Sequence, residues 1–303
     1  MFSFNMSDKF KIRAPRVAIL MASYNGTHYI KEQIECILEQ RGVEVHLFIS
    51  VDLSTDDTYE VCCKYEQKHQ NVTVLNYGES FEGAAKNFYR LIRDVNFSDY
   101  EFVALSDQDD FWDSTKLSHA VEIMKDYASD AYSSGVTAVW SDGREKLVKK
   151  SKDQKEFDCY FESAGPGCSY VFRRQALQEF KDFLINKWNK LNSVEFHDWL
   201  IYAFFRSRNM SWHIDSNLLI RYRQHKSNQF GANFGLKAYI KRINMIYSGW
   251  YRSEVEKIYN VVGVQSSQVF NLDKRFLIRN FYQLRRRNRD VIFLLLMVLI
   301  GLF

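Results

Sequence analysis

The chain has 303 residues, of which 46% are hydrophobic and 26% are charged. This composition excludes a disordered protein, and the length allows one large domain or two. Only 13 Gly and 2 Pro argue against a sheet-rich or linker-rich design. The 5 cysteines are odd in number, have no Cys-x-x-Cys spacing and follow no secretory signal, which favours a reducing cytosol.

The formal net charge of +4 hides an asymmetry along the chain. Residues 226–290 contain 13 Lys/Arg and 4 Asp/Glu, whereas residues 1–225 carry a charge of about −5. The uncharged apolar tail at 291–303 is too short to cross a bilayer, which needs about 20 residues. A basic segment followed by a short apolar one indicates attachment to an anionic membrane surface. Docking of the tail on the protein or on a second subunit is the alternative.

The first two thirds of the chain alternate apolar strands with amphipathic helices, as an α/β fold with a mainly parallel sheet requires. Helical spacing is clear at Ile30, Ile34 and Ile37, which share one apolar stripe. In chain order the pattern predicts a strand at 16–22, a helix from about 27, a strand at 43–51, a helix at 58–69, a strand at 72–77, a helix at 83–95 and a strand at 101–105.

Three carboxylates crowd into residues 107–110 (Asp-Gln-Asp-Asp), directly after the last of these strands. Because like charges so close repel, a cation or hydrogen-bond donors must compensate them in a cleft. The run therefore suggests a divalent-cation site for a metal-bound diphosphate, with a solvated acidic turn as the alternative if it is considered alone. Since ligands of open α/β sheets bind beyond the carboxyl ends of strands, residues 23–26, 52–58 and 107–110 are expected around one crevice.

The loops of this crevice contain neither G-x-G-x-x-G nor G-x-x-x-x-G-K-[ST], which disfavours Rossmann and P-loop folds. Without a glycine-rich cradle, a metal held on aspartate would have to neutralise the diphosphate. A nucleotidyltransferase or sugar-phosphate synthase is the rival enzyme class. It would need a basic glycine-rich loop near the first strand, which the sequence does not contain.

Three segments together resemble the GT-A nucleotide-sugar core of family 2 inverting glycosyltransferases. They are residues 22–26 (Ala-Ser-Tyr-Asn-Gly), 51–58 (Val-Asp-Leu-Ser-Thr-Asp-Asp-Thr) and 106–110 (Ser-Asp-Gln-Asp-Asp) with Trp112 and Lys116. The Asn-Gly opening and the Asp-Gln-Asp-Asp-x-Trp form are most similar to bacterial rhamnosyltransferases of surface-polysaccharide assembly. The resemblance implies a GT-A domain over residues 1–225, followed by a basic, mostly helical extension over 226–303.

The resemblance also implies roles on the donor side. The backbone of residues 22–24 and the Asp52 carboxylate would hold a pyrimidine base, and Asp107 would face the ribose. Asp109 would ligate Mn²⁺ or Mg²⁺ on the donor diphosphate, supported by Asp110. The expected nucleotide-sugar-binding residues are Ala22, Ser23, Tyr24, Asn25, Asp52, Asp56, Asp107, Gln108, Trp112 and Lys116.

One departure concerns residues 52–54, where Asp-Leu-Ser replaces the family's Asp-Asp-x-Ser. This leaves the division of roles between Asp52 and Asp56 open, and capping of the following helix is the alternative role for Asp56.

On the acceptor side, residues 164–169 (Ala-Gly-Pro-Gly-Cys-Ser) resemble the family's glycine-containing acceptor loop, with an ordinary tight turn as the alternative. Asp198 opens an apolar helix where the family carries its catalytic acid, which makes it the expected base, with an N-cap as the alternative. The expected acceptor-side residues are Gly167, Cys168, His197 and Trp199.

The segment at 221–228 resembles the one that closes the donor site in this subgroup. His225 is expected in the metal sphere or on the diphosphate, and a structural histidine is the alternative. Arg221 and Arg223 are weaker phosphate candidates.

The implied function is metal-dependent, inverting transfer of L-rhamnose from dTDP-rhamnose to a lipid-linked or growing polysaccharide acceptor, at the cytoplasmic face of a bacterial membrane. A UDP-hexose donor or a non-enzymatic membrane-associated scaffold are the alternatives. Nucleic-acid binding is disfavoured because basic and apolar residues of the C-terminal region alternate at helical spacing. The apolar positions are Leu236, Ile240, Ile243 and Ile246. The oligomeric state is not fixed, although this aromatic-rich region could bury a subunit contact.

Overall fold

A computed structural model describes residues 13–191, 193–225, 244–245, 247–263 and 272–303. Its first half alternates strands and helices, as the hydrophobic pattern predicts. The elements are β1 (Arg16–Ser23), α1 (Ile30–Leu38), β2 (Glu44–Val51), α2 (Thr58–Lys68), β3 (Val72–Val74), α3 (Ala84–Asp94), β4 (Phe102–Ser106), β5 (Phe111–Trp112) and α4 (Lys116–Asp126).

The second half brings further strands and then helices. They are β6 (Ala131–Ser134), β7 (Val136–Trp140), β8 (Glu145–Val148), β9 (Val171–Arg173), α5 (Arg174–Asn186), α6 (Trp188–Leu191), α7 (His197–Ser207), β10 (Trp212–Asp215), β11 (Ile220–Gln224), α8 (Trp250–Val262), α9 (Lys274–Arg279) and α10 (Asn288–Leu299). Short 3-10 turns lie at Asp158–Tyr160, Gly167–Ser169 and Phe281–Gln283.

Seven strands form the central sheet, in the order β10-β6-β9-β4-β1-β2-β3. β1 is parallel to both β2 and β4, and only β9 runs antiparallel to its neighbours. Ser23 pairs with Val51, and Met21 pairs with Ser106, so the carboxyl ends of β1, β2 and β4 meet at one edge of the sheet. A second sheet, β5-β11-β7-β8, places β11 beside the segment that follows the acidic run.

Two predicted boundaries are wrong by three residues. The first helix begins at Ile30 instead of near 27, because the amides of Tyr29 and Ile30 both bind the Gly26 carbonyl and close a turn. β3 ends at Val74 instead of Tyr77. The Tyr77 ring stacks on Tyr59, with centroids 4.2 Å apart, which takes the chain away from the sheet.

The core lies on both faces of the central sheet. Alternate residues of β1 point to opposite faces, with Val17 and Ile19 packed on one side and Ala18 and Leu20 on the other. All four are fully buried, as the continuous apolar run of a central parallel strand requires. The core therefore fixes β1, and with it the loop that leaves its carboxyl end.

The described C-terminal helices pack on the same apolar cluster as α7, through buried residues such as Val255, Leu277 and Leu294. Among the described residues, no helix has the length and apolar character needed to cross a membrane. The predicted boundary at 225/226 lies at the start of a stretch outside the described residues. The predicted apolar stripe also lies outside the described residues; it consists of Leu236, Ile240, Ile243 and Ile246.

Candidate active site

Side-chain hydrogen bonds tie the loop after β1 to the loop after β2. Asn25 has a φ of 46°, and its Oδ1 accepts the Thr55 amide at 2.8 Å. Asp56 accepts the amides of Thr27 and Thr58, each at 3.1 Å. Burial opposes ionisation of Asp56, but the bonds from Thr58 and Thr27 lower its pKa overall. Asn25 and Asp56 therefore shape the crevice wall, and Asp56 also makes the helix-start contact that was its alternative role.

Asp52 lies at the end of β2 and is only 5% exposed. Its Oδ1 accepts the amides of Leu53 and Phe81, both at 2.8 Å, while its own amide donates to the Ser23 carbonyl. These bonds fix the carboxylate beside the end of β1. A fixed acceptor at this point is what recognition of a pyrimidine N–H requires.

Gln108 joins the acidic loop to the end of β1. Its Oε1 accepts the Ser23 hydroxyl at 2.6 Å and the Tyr24 amide at 2.9 Å, and its Nε2 donates to the Tyr24 carbonyl at 2.8 Å. A Cβ on Gly26 would come within 2.0 Å of the Gln108 Oε1, so this contact needs glycine. Gln108 thus holds the loop after β1 in place through hydrogen bonds to Ser23 and Tyr24.

The acidic loop contains a buried carboxylate, that of Asp110. Its oxygens accept no close hydrogen bond from a described residue, although the Cys168 thiol and the Arg223 amide lie near enough to lower its pKa. Ligand atoms of Asp107, Asp110 and Cys168 lie within 4.8 Å of one another. Burial and the charge of Asp109 raise the pKa of Asp107 to about 7, and the same two causes raise the pKa of Asp110. A divalent cation would relieve this crowding, so the donor set fits the expected metal.

Asp109 and His225 meet across the crevice. The distance between the Asp109 Oδ2 and the His225 Nε2 is 2.7 Å, and the His225 ring stacks on Tyr29 with centroids 4.6 Å apart. Arg223 donates to the Asp109 carbonyl at 3.0 Å and forms an ion pair with Glu32. The end of β11 and His225 therefore contact the acidic loop, and the Asp109 carboxylate and the His225 imidazole lie together there.

Asp198 lies in the first turn of α7. Phe196 is the N-cap of that helix, so the alternative role of Asp198 as N-cap is wrong; its Oδ1 accepts the neighbouring Trp199 amide at 2.8 Å. Burial raises the pKa of Asp198 to about 6, against the opposing effects of Ser163 and Lys150. The charge of Asp198 also contributes to the raised pKa of Asp107, which indicates that this base candidate and the acidic loop act on one crevice.

Comparison with known proteins identifies the family of this chain. Residues 18–181 match the model of the family "Glycosyl transferase family 2". The chain is 42% identical over 289 residues to the dTDP-rhamnosyl transferase RfbG of Shigella flexneri, an alignment that covers 93% of this chain and 100% of the relative. The protein belongs to glycosyl transferase family 2. It is therefore a glycosyltransferase, as the three sequence segments predict.

Solved structures show that the fold is GT-A. Residues 1–349 of Staphylococcus aureus TarS in complex with UDP match with a TM-score of 0.54 and 15% identity, covering 94% of this chain and 70% of that chain. The mannosyltransferase PcManGT of Pyrobaculum calidifontis, in complex with GDP-Man and Mn²⁺, matches with a TM-score of 0.53 and 15% identity, covering 96% and 86%. This confirms the predicted fold class.

Trp112 and Lys116, both expected to bind the nucleotide sugar, are buried beneath the acidic loop of this glycosyltransferase. The Lys116 Nζ lies 3.4 Å from the centroid of the Trp112 ring and has no hydrogen-bond partner among the described residues. Burial lowers the pKa of Lys116 to about 7, although the charges of Cys168 and Asp110 oppose this. The Lys116 charge therefore acts on Asp110 in the acidic loop. Arg221, the weaker phosphate candidate, pairs with Glu145 at 2.7 Å on the surface.

Gly167 and His197 are in direct contact on the acceptor side. A Cβ on Gly167 would come within 2.4 Å of the His197 Nε2. The His197 ring stacks on Phe88 with centroids 4.1 Å apart, and burial lowers its pKa to about 3, so the ring is neutral. His197 therefore packs between Gly167 and Phe88, directly before Asp198 in the chain.

Cys168 and Trp199 are buried on the same side. Cys168 is fully buried, and burial together with the Asp110 charge raises the pKa of its thiol. The Trp199 indole donates to the Cys159 carbonyl at 2.9 Å and is 6% exposed. Both residues therefore pack inside the protein, next to the predicted acceptor loop.

Sequence reasoning missed a buried ionic network next to the acceptor loop. The Arg286 guanidinium pairs with Asp158 at 3.0 Å and donates to the Ser163 carbonyl at 2.5 Å. The Arg286 backbone amide donates to the Glu162 Oε1 at 2.6 Å. Arg206 also reaches Asp158, at 3.1 Å. The basic run at 285–289 was visible in the sequence, but its partners lie more than 120 positions away.

Proposed function

We propose that the enzyme transfers L-rhamnose from dTDP-rhamnose, with inversion, to a lipid-linked or growing polysaccharide acceptor. The observation that carries the donor assignment is the 42% identity to a dTDP-rhamnosyl transferase along the full length of that relative. The chemistry is supported by the position of Asp198, a partly buried carboxylate whose charge acts on Asp107 of the acidic loop. One base is sufficient for an inverting displacement.

Asp109 and His225 would hold the divalent cation, Mn²⁺ or Mg²⁺, with Asp110 supporting the site and Asp107 facing the ribose. When bound, the cation neutralises charge on the donor diphosphate. The loops after β1 and β2 would orient the pyrimidine base of the donor through Asp52 and the backbone of residues 22–24. Arg223, on β11, donates to the Asp109 carbonyl and would hold the acidic loop in place.

In the transfer step, the acceptor hydroxyl oxygen forms a bond to the anomeric carbon while the bond from that carbon to the diphosphate oxygen breaks. The leaving dTDP takes the electron pair of the broken bond. The proton of the hydroxyl passes to the Asp198 carboxylate. Since burial raises the pKa of Asp198 to about 6, this carboxylate is ionised at neutral pH and still basic enough to accept the proton.

The proposal includes attachment to the cytoplasmic face of an anionic membrane, where a lipid-linked acceptor would lie. One face of α10 packs on the core, while its other face exposes apolar side chains by half or more. These are Ile292, Leu296, Leu299 and Ile300, and exposed basic residues nearby are Lys274, Arg275, Arg279 and Arg289. An apolar stripe bordered by positive charge is typical of a helix that lies in a membrane interface.

Flotation with phosphatidylglycerol vesicles tests this attachment. The double substitution Ile292→Ser with Leu296→Ser should abolish co-flotation, because it removes the centre of the apolar stripe. Leu147→Ser, at a residue that is 54% exposed on β8, is the matched control and should leave it unchanged. Equal flotation of all three proteins would contradict the attachment.

A panel of nucleotide sugars tests the donor. Binding and slow hydrolysis are measured for dTDP-rhamnose, UDP-glucose, UDP-GlcNAc and GDP-mannose, each with Mn²⁺, with Mg²⁺ and with EDTA. The proposal predicts metal-dependent preference for dTDP-rhamnose. Preference for a UDP-sugar would keep the family and overturn the rhamnose assignment, and absence of nucleotide binding in every condition would favour a scaffold.

A further inference from the structure

Lys150 carries an ammonium group that has no hydrogen bond or ion pair to any described residue. The residue follows β8 and is partly buried. Its Cγ lies 3.8 Å from the position that a Cβ on Gly165 would occupy, so its side chain covers the acceptor loop. An ammonium group that has no ion pair in the protein can bind an anionic ligand at this position.

The other cations of this region are already engaged. Arg285 donates to the Phe161 carbonyl at 2.7 Å, and Arg287 donates to the Lys149 carbonyl. Arg286 belongs to the network with Asp158. Burial and the charges of these arginines lower the pKa of Lys150 to about 8, although Glu162 opposes them. Arg285 and Arg286 are thus paired with carboxylates, whereas Lys150 has no ion pair with any described residue.

The ammonium group belongs to the acceptor side of the crevice. Its charge acts on Asp198 and on Glu162, whereas the charges that act on Asp107 are those of Asp109 and Asp198. The Ser163 hydroxyl, which donates to the Gly165 carbonyl at 3.1 Å, also influences Asp198. Lys150 thus lies beside the loop that contains Gly165, on the Asp198 side of the crevice.

We infer that Lys150 binds an anionic group of the acceptor, a phosphate or diphosphate attached to the sugar whose hydroxyl faces Asp198. The inference rests on the proposed function, because it needs the acceptor beside Asp198. The three N–H donors of an ammonium group suit phosphate oxygens. In a lipid-linked sugar the diphosphate is attached to the anomeric oxygen, one ring away from the hydroxyls that can react. Lys150 would therefore select acceptors that carry their charge next to the accepting sugar.

Binding of decyl diphosphate tests the inference without any acceptor sugar. The full-length protein is first saturated with dTDP and Mg²⁺, so that the donor site is occupied, and the probe is then titrated by calorimetry. Lys150→Met should weaken binding about tenfold or more, because a charge-assisted contact is lost. Lys150→Arg, which keeps the charge, should stay within about threefold of wild type, and Lys149→Met, at the exposed neighbour, within about twofold.

Thermal unfolding of each variant establishes that the protein tested is folded. Equal affinity of wild type and Lys150→Met for decyl diphosphate overturns the inference, as does a wild type that does not bind the probe. Loss of Lys150→Met binding to phosphatidylglycerol vesicles, with decyl diphosphate binding unchanged, would show that the anion is a bilayer headgroup and would also overturn it. Because the readout is binding, failure of the dTDP-rhamnose assignment in the donor panel leaves this result interpretable.

Discussion

On the donor side, the crevice consists of loops that leave neighbouring strands and are held by hydrogen bonds within about 100 residues of chain, such as that from Ser23 to Gln108. On the acceptor side, Asp198 depends on side chains from Ser163, Lys150 and the distant Arg286. The donor side is thus fixed by strand order and backbone contacts. The acceptor side is assembled from separate segments, and the C-terminal helices are among them.

This difference suggests which half can diverge without loss of the other. The loops of the proposed donor site are fixed by the central sheet, whereas residues 285 and 286 contact residues 161–163, next to the proposed acceptor loop. We therefore expect substitutions in the two halves to separate nucleotide binding from transfer.

The largest effect is expected for Asp198→Asn. Transfer should fall about 10³-fold, because the acceptor hydroxyl loses its base, while dTDP affinity stays within about twofold. Initial rates of transfer and calorimetric titration with dTDP measure the two quantities. Asp182→Asn, at an exposed position on α5, is the matched control and should behave as wild type. Full transfer activity in Asp198→Asn would remove the base assignment.

Arg286→Met should destabilise the acceptor side strongly. The substitution takes the main counter-ion away from the buried Asp158, which costs about 3–5 kcal/mol in the free energy of unfolding. Urea denaturation measures this loss. Arg289→Met, where the side chain is 74% exposed, should change stability by less than about 0.5 kcal/mol. Similar stabilities of the two variants would mean that the network does not hold the C-terminal helices.

Gly26→Ala is the corresponding break on the donor side. A Cβ would displace the Gln108 carboxamide from Ser23 and Tyr24, at a cost of about 1–3 kcal/mol. Affinity for dTDP should fall, whereas Lys150-dependent binding of decyl diphosphate should persist. Calorimetry with both ligands checks this, and unchanged dTDP affinity would show that Gln108 does not position the nucleotide loop.

The smallest effect concerns pH. Asp198 must be ionised to accept a proton, so transfer should decline as the pH falls through about 6, the value to which burial raises its pKa. Because the Lys150 charge lowers that pKa, Lys150→Met should move the acidic limb to higher pH. Rate profiles between pH 5 and about 8 test the direction, with Lys149→Met as the control. A shift to lower pH would contradict the proximity of Lys150 to Asp198.

The sequence predicted which loops meet at the crevice better than it predicted the packing around Asp198, for a physical reason. Residues 107–110 and the loops after β1 and β2 follow apolar strands, and parallel pairing brings strand ends together wherever the pattern is read correctly. Trp112 and Lys116 match the family pattern in sequence, but burial beneath the acidic loop cannot be seen in it. The stacking of Tyr29 on His225 and the network of Arg286 depend on contacts between distant segments, for which one sequence carries no local signal.

The proposed mechanism divides two roles between two carboxylates: a metal on Asp109 holds the donor, and Asp198 serves the acceptor. Calorimetric titration with dTDP, with Mn²⁺ and with EDTA, tests it most directly in wild type, Asp109→Ala and Asp198→Asn. We predict that Mn²⁺ strengthens dTDP binding in wild type and Asp198→Asn alike, and that Asp109→Ala loses this gain. Equal Mn²⁺ dependence in all three proteins, or its loss in Asp198→Asn, would contradict the claim.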